Sequence, residues 1–426
     1  MSLPHSRILT ILAVSTCTWA QTPIVSLTQA RETALRNHPR IASAAFDAQA
    51  SGFAVREARA AYYPSLAGNI TGVGADHGSV LSAGALTTSS IFSRGSAGIV
   101  ASQMITDFGR TGSLVESAKL RQESRNQNVT DVRARVLIEV QQAYYQALAA
   151  EALQKVARAT LDLRNLTLRQ VTALADSALR SKLDVSFAEV NASQAQLDLI
   201  HTENDSRASH ARLSAAMGYD RDQPFALADE PLPAALDPNV DNLIAQALRE
   251  RPDLAATRLG RDALRSFAKA EAELRNPTVS AAAASGVAPV RDEKLPETYN
   301  AIGFNVNIPV LNGGFFKARR EEAESHAAAA EKDVEALTVA VARDVRVAWL
   351  DANDAFQRLD VTARLVAEAN ESLRLAQARY DSGLGSIVEL NQAQVNQTAA
   401  EIAAASAKYE YLVRRTNLDY AMGVLR

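Results

Sequence analysis

One cysteine, Cys17, stands in a chain of 426 residues, which leaves no basis for a disulfide framework or a cysteine-built metal site. Aromatic side chains make up only 5%, with 13 prolines and 19 glycines, so collagen-like and Pro/Gly low-complexity structure are out. Neither sign of charge dominates: 45 Lys+Arg against 48 Asp+Glu leave −3, and a general nucleic-acid binder would show a basic excess. The six histidines are scattered, and His201 and His210, nine residues apart, fall on opposite faces of a helix, which argues against a metal site. No nucleophile-base pair and no phosphate loop is found, so neither an enzyme nor a cofactor is expected. Asp107-Phe108-Gly109 has the kinase metal-binding triplet but none of its surroundings, and reads as a turn. What is abundant is apolar residues, 47%, much of it alanine, which favours close helix packing over a bulky core.

The first twenty residues read as an export signal. Arg7 supplies a basic side chain, Ile8 to Val14 an apolar run, and Thr18-Trp19-Ala20 small residues suited to cleavage after Ala20. A lipoprotein signal with Cys17 acylated is the second possibility, although Thr16 stands where Gly, Ala or Ser is expected. Beyond this segment nothing approaches the ~20 apolar residues of a membrane helix. An exported chain of this kind is periplasmic, secreted or inserted as a β-barrel.

Self-similarity organises the rest. Ala34-Leu35-Arg36-Asn37-His38-Pro39-Arg40-Ile41 recurs as Ala247-Leu248-Arg249-Glu250-Arg251-Pro252-Asp253-Leu254, and Pro64-Ser65-Leu66 as Pro277-Thr278-Val279. The offset then falls by eight residues and holds to Met217-Gly218 and Met422-Gly423. The chain is therefore predicted to be a tandem duplication of a roughly 200-residue unit. The expected divisions are a signal peptide at 1–20, a first repeat at 21–218, a linker at 219–240 and a second repeat at 241–426. The linker holds Pro224, Pro231, Pro233 and Pro238 and reads as irregular.

Each unit reads as short helix, helix, two strands, a very long helix, a turn and a long helix. Strands are expected at about 64–74, 96–106, 277–287 and 299–311. In the last, Ile302, Phe304, Val306 and Ile308 alternate with Ala301, Gly303, Asn305 and Asn307, the period of a sheet that is apolar on one side. Val129, Val132, Val136, Val140, Ala143 and Ala147 are matched one for one by Val334, Leu337, Val341, Val345, Ala348 and Ala352, at helical steps. Unbroken from about Thr111 to Val171 and from about Phe316 to Ala378, these helices would be roughly 90 Å long. So narrow a seam needs partners along its whole length, and the two shorter helices of each unit, stacked end to end, nearly match it. Four strands do not close a barrel, for which about eight are the minimum; three chains would supply twelve.

At this point the chain resembles the TolC-like outer membrane efflux proteins over essentially its whole mature length. The resemblance rests on the Ala34 to Pro39 segment and its copy, on Thr106-Asp107-Phe108-Gly109-Arg110 and Val310-Leu311-Asn312-Gly313-Gly314, and on Arg379-Tyr380-Asp381-Ser382-Gly383. It implies a mainly α fold with a small β part: a homotrimer with a 12-stranded transmembrane β-barrel and an α-barrel tunnel of antiparallel coiled-coil helices through the periplasm. It further implies export of small molecules or proteins, as in multidrug export or type I secretion, by docking to an inner-membrane pump and a periplasmic adaptor protein. The turns carrying Leu179, Arg180, Gly383 and Leu384 would be the adaptor-docking tips, and Ile302, Phe304, Val306 and Ile308 would face lipid. Glu389 and Gln392 occupy positions where the family often sets two acidic rings in the lumen, so one ring is expected. Asp184 and Tyr380 match gate residues, whereas the basic gate partner is replaced by Gly385, leaving Arg180 or Lys182 to rebuild the tether. Ala178, where the second turn has Gly383, departs from the pattern. The competing reading is a periplasmic adaptor or structural coiled-coil protein, which would be exported and helical but would carry one hairpin rather than two.

Overall fold

The computed structural model describes residues 23–76, 80–83, 86–90, 93–233, 235–291 and 296–425; the export-signal reading at 1–20, with Cys17, lies outside them. Each unit starts on a proline rule. Pro39 opens α2 (Pro39–Ala60) and Pro252 opens α6 (Pro252–Ala272), where a missing N–H costs nothing, and the preceding His38 and Arg251 stay extended. His38 thereby ends α1 (Leu27–Asn37) and caps α2, its Nδ1 accepting the Arg40 N–H at 3.2 Å. Arg251 likewise ends α5 (Val240–Glu250).

The long helices are α3 (Arg110–Asp176) and α7 (Phe315–Asp381), 67 residues each. Both begin after a backbone reversal that needs two positive φ angles: Gly313 (62°) and Gly314 (85°) in the second unit, Phe108 (56°) and Gly109 (112°) in the first. The first reversal is held by Asp107, whose buried carboxylate accepts the Thr111 N–H and hydroxyl, both at 2.6 Å. The Asp107-Phe108-Gly109 triplet is thus a helix cap. Along α3 lie α2 and α4 (Lys182–Ala216); along α7 lie α6 and α8 (Ile387–Ala421). The expected seam is buried at Val136, Val140, Ala147, Val341, Val345 and Ala352. The two units are joined side by side, because α6 also packs on α3 and α8 on α3. Close approach is visible in Ser117 and Ser124 of α3, each donating a hydroxyl at 2.8 Å to a carbonyl of α6, Ala263 and Ala256.

A four-stranded antiparallel sheet emerges at one end in the order β2 (Ser65–Val73), β5 (Arg94–Thr106), β7 (Thr278–Val290), β8 (Thr298–Asn307). The two middle strands come from different units. The register aligns Leu66, Ala101, Ala283 and Ile302 in one row and sets Phe304 beside Ala281, so Leu66, Ile70, Ile99, Ile302, Phe304 and Val306 share one face. Asn69, Thr71, Ser96, Ser102, Asn305 and Asn307 share the other. Ile70 and Ile302 are 91% and 88% exposed, so the apolar face has no cover among the described residues. Ile308, expected in the last strand, falls outside it: β8 stops at Asn307 because Pro309 has no N–H for the ladder.

Two features were not anticipated. The connection from β2 to β5 carries a separate hairpin, β3 (Val80–Ala83) with β4 (Leu86–Ser90), and this extra chain in the first unit accounts for the shift in repeat offset. The proline-rich linker is also partly ordered: β6 (Ala226–Leu227) pairs in parallel with β1 (Ile24–Val25). The Tyr144 hydroxyl, buried in α3, lies 2.6 Å from the Ala228 carbonyl and 3.0 Å from that of Val25, clasping the linker and the N-terminal strand onto the helix. Burial pushes its phenol far above the ordinary range, so it remains a donor. Tyr144→Phe is expected to destabilise the fold by about 1 to 2 kcal/mol, because the buried Ala228 carbonyl loses its donor. A lowered denaturation midpoint, followed at the helical circular-dichroism band, checks this; an unchanged midpoint would mean that water replaces the phenol.

Candidate functional site

The tips of the two helical hairpins, at the end opposite the sheet, gather most of the residues singled out from the sequence. Both long helices stop in the same way. Leu179 N–H bonds Leu174 O and Leu384 N–H bonds Arg379 O, each at 2.9 Å, around a left-handed residue: Ala178 (φ 57°) in the first turn, Gly383 (φ 77°) in the second. These backbone bonds leave the next side chains outside the turn. Leu179 is 70% exposed and Leu384 74%, so neither packs within the chain. Each following helix is then capped by a serine, Ser181 for α4 and Ser386 for α8.

Tyr380 sits between the hairpins rather than on the surface. It is buried with Val171, Ile387 and Leu390, and its hydroxyl is without a hydrogen-bond partner among the described residues. Desolvation pushes its pKa up. Arg180 crosses from the first turn to the second, its Nη2 donating to the Tyr380 carbonyl at 2.7 Å and its guanidinium lying 4.2 Å from the ring centroid. Arg180 therefore does tie the two hairpins together, but through Tyr380 and not through Asp184. Asp184 instead completes the capping box of α4, accepting the Ser181 N–H at 3.3 Å.

Glu389 is not the free carboxylate that the sequence suggests. Arg379 Nε donates to Glu389 Oε1 at 2.9 Å, and the same arginine reaches the Leu384 carbonyl at 3.3 Å. An acidic ring at this level would therefore be largely neutralised within each chain. Gln392, one turn further on the same exposed face, donates to Asn396 at 2.9 Å. A side chain at Gly385 would be tightly placed. A Cβ there would stand 3.1 Å from Tyr380 N and 3.2 Å from two atoms of Arg379, so its role is close backbone approach.

Further from the tips, a second polar link joins the units. Arg164 of α3, buried, hydrogen-bonds Gln394 of α8, and Gln394 donates in turn to Thr167 at 3.1 Å. Burial lowers the pKa of Arg164, and its partner is an amide rather than a carboxylate. No cluster of three or more His, Cys, Asp or Glu able to hold a metal occurs among the described residues, and none of their helices is long and apolar enough to cross a membrane. The lipid-facing candidates Ile302, Phe304 and Val306 lie in the sheet at the far end from the tips.

Comparison with known proteins matches the chain at residues 30–219 and 243–424 to the family described as outer membrane efflux protein. Outer membrane protein TolC of Vibrio cholerae is 24% identical over 419 residues, covering 97% of this chain and 93% of that protein. The TolC of Salmonella enteritidis is 23% identical over 420 residues, covering 94% and 82%. Among solved structures, a membrane protein from Pseudomonas aeruginosa superposes with a TM-score of 0.80 at 22% identity, covering 93% of both chains.

The two tips differ in backbone strain, since an alanine holds a left-handed conformation in the first turn and a glycine in the second. Nothing stands within 4 Å of a Cβ at Gly383, so the positive φ and not lack of space is what disfavours a side chain there. Ala178→Gly is expected to stabilise the first turn and Gly383→Ala to destabilise the second, each by about 1 kcal/mol. Hydrogen exchange of the Leu179 and Leu384 amides checks this, and equal, unchanged protection in both variants would refute it.

Proposed function

From the premise that the chain belongs to the outer membrane efflux protein family, and so is an outer-membrane export channel, we propose that it works as a homotrimer whose helices form a tunnel docked to a periplasmic adaptor and an inner-membrane pump. The family is one of transport channels rather than enzymes. The observation that carries the trimer is the sheet. It is antiparallel, apolar on one face and polar on the other, and both its edge strands, β2 and β8, have one side without a partner among the described residues. Open edges in a membrane leave backbone groups unsatisfied, and closure with two further copies removes every edge while turning the apolar face to lipid.

In this assembly Asn69, Thr71, Asn305 and Asn307 line the lumen and Ile302, Phe304 and Val306 meet lipid. The hairpin tips lie at the periplasmic end, where Tyr380, Asp184, Glu389 and Gln392 surround the constriction. Arg180 on Tyr380 holds the two hairpins of each chain together there, and the Arg379 partner of Glu389 makes the constriction less negative than the carboxylate alone would. Leu179 and Leu384, with Arg180 and Gly383 shaping the turns behind them, are the contacts offered to the adaptor. Two hairpins per chain fit a channel better than an adaptor, which has one.

The assembly is tested on the sheet. Phe304→Arg is expected to impair membrane insertion, since a charge on the lipid face at mid-bilayer costs ~2 to 4 kcal/mol, whereas Asn305→Arg is expected to assemble. Heat-resistant trimer in washed outer membranes is the readout, and the opposite pattern would reverse the inner and outer faces.

Docking is tested separately at the tips. Leu384→Asp or Leu179→Asp is expected to abolish export while the amount of trimer stays constant, because these side chains cover no core. Loss of trimer would assign them a folding role instead.

A further inference from the structure

Two rows in the middle of the polar face of the sheet are built from small side chains. One row across it reads Ala67, Val100, Ala284, Ala301 and the next Ser65, Ser102, Ala282, Gly303. The row toward the far end of the strands is different: Asn69, Gly98, Gly286, Tyr299. Here one large aromatic stands beside two adjacent glycines on neighbouring strands.

The glycines are occupied by the tyrosine. A Cβ at Gly286 would lie 2.5 Å from Tyr299 Oη and 2.6 Å from Cζ, and one at Gly98 would overlap Oη outright. The Tyr299 side chain of β8 therefore reaches across β7 toward β5, running along the wall instead of projecting from it. Backbone carbonyls stand close to the same two positions, Ala97 O at 2.5 Å and Ser285 O at 2.8 Å, so no side chain at either glycine could share the space. Aromatic cover over a strand glycine is a known way to fill the gap that glycine leaves. Tyr299 nonetheless keeps 37% of its surface exposed.

We propose that Tyr299 is a cargo-contacting residue of the outer-membrane section of the lumen, offering the exposed part of an aromatic side chain lodged over Gly286 and Gly98 to planar aromatic cations. The proposal rests on the barrel reading, which turns this face of the sheet inward and brings three such rings around one bore. A side chain running along the wall narrows the bore little, so it acts as a contact surface and not as a gate. The ring quadrupole attracts a cation over its face, and a planar aromatic solute can stack on it as well. The neighbouring small side chains give such a solute clear access.

The test uses the full-length channel in planar bilayers, with ethidium as the probe and potassium current as the readout. Ethidium is expected to block the wild-type current, and Tyr299→Ala to weaken that block about two- to five-fold, whereas Tyr299→Phe retains it because the phenyl face remains. An unblocked wild type, or equal block in Tyr299→Ala, overturns the proposal. A second arm does not depend on the alanine variant folding well. Tyr299→Cys and Ile302→Cys are each exposed, in intact membranes, to a membrane-impermeant charged maleimide. Label at 299 alone supports the proposal, and label at neither position overturns it by removing Tyr299 from the water-filled lumen. Label at Ile302→Cys counts against the barrel reading itself, whatever happens at 299.

Discussion

A helix of 67 residues is about 100 Å long and cannot bury its own apolar seam, and that constraint shapes the rest of the chain. Each long helix needs cover over its whole length, which no single shorter helix supplies. The solution is two helices placed end to end, of 22 and 35 residues beside α3 and of 21 and 35 beside α7. The point where the two covering helices meet is a break in each column, and it is there that β1, β6 and the Tyr144 clasp are found. The sheet at one end and the turns at the other follow from the same arrangement, because a hairpin of helices has only two ends.

Helix content and duplication were legible because their signals are periodic and repeated. The seam from Val129 to Ala147 and its copy from Val334 to Ala352 gave both the helices and their pairing. The strand at Ile302 to Val306 was legible because its two faces differ in polarity. Its neighbour β7, expected at about 277–287, was legible through the repeat and not through its own pattern, since Ala281 to Ala284 place the same side chain on both faces and leave no alternation to read. The two-residue strands β1 and β6 carry no period at all and exist only because of their pairing. At the tips, the positions were legible and the interactions were not. Arg180 and Tyr380 are 200 residues apart, and Glu389 meets Arg379 only because a tight turn folds α8 back on α7. The pairing of Tyr299 with Gly286 and Gly98 spans three strands, which no local pattern encodes.

Duplication gives the chain two similar halves, but the links between them are specific to one half each. Arg180 has its aromatic partner only in the second turn, and Arg164 its amide partner only in α8. Near the level where α6 begins, Arg251 pairs with Asp253 at 2.6 Å and reaches Asp344 of α7 at 3.9 Å. Burial there would raise the Asp253 carboxyl, but the hydrogen bond and charge of Arg251 outweigh it and hold the group below the ordinary range. That favours the fold at neutral pH, and the contribution is lost as pH falls through the folded value. The Arg180 and Arg164 links fix which side of one unit meets which side of the other, where an alanine-rich seam alone would allow several registers.

The central pairing of the sheet, β5 with β7, joins strands that end at Thr106 and begin at Thr278. During synthesis and export the chain emerges from its N-terminus, so β5 leaves the translocation machinery with β2 as its partner but long before β7 exists. For that interval the inner edge of β5 is unpaired and the apolar face around Leu66, Ile70 and Ile99 has no bilayer against it. Pairings of such sequence separation form slowly, and an exposed strand edge aggregates in the meantime. The order of strands thus makes the time that the half-made chain spends with this edge open a determinant of how much channel can assemble.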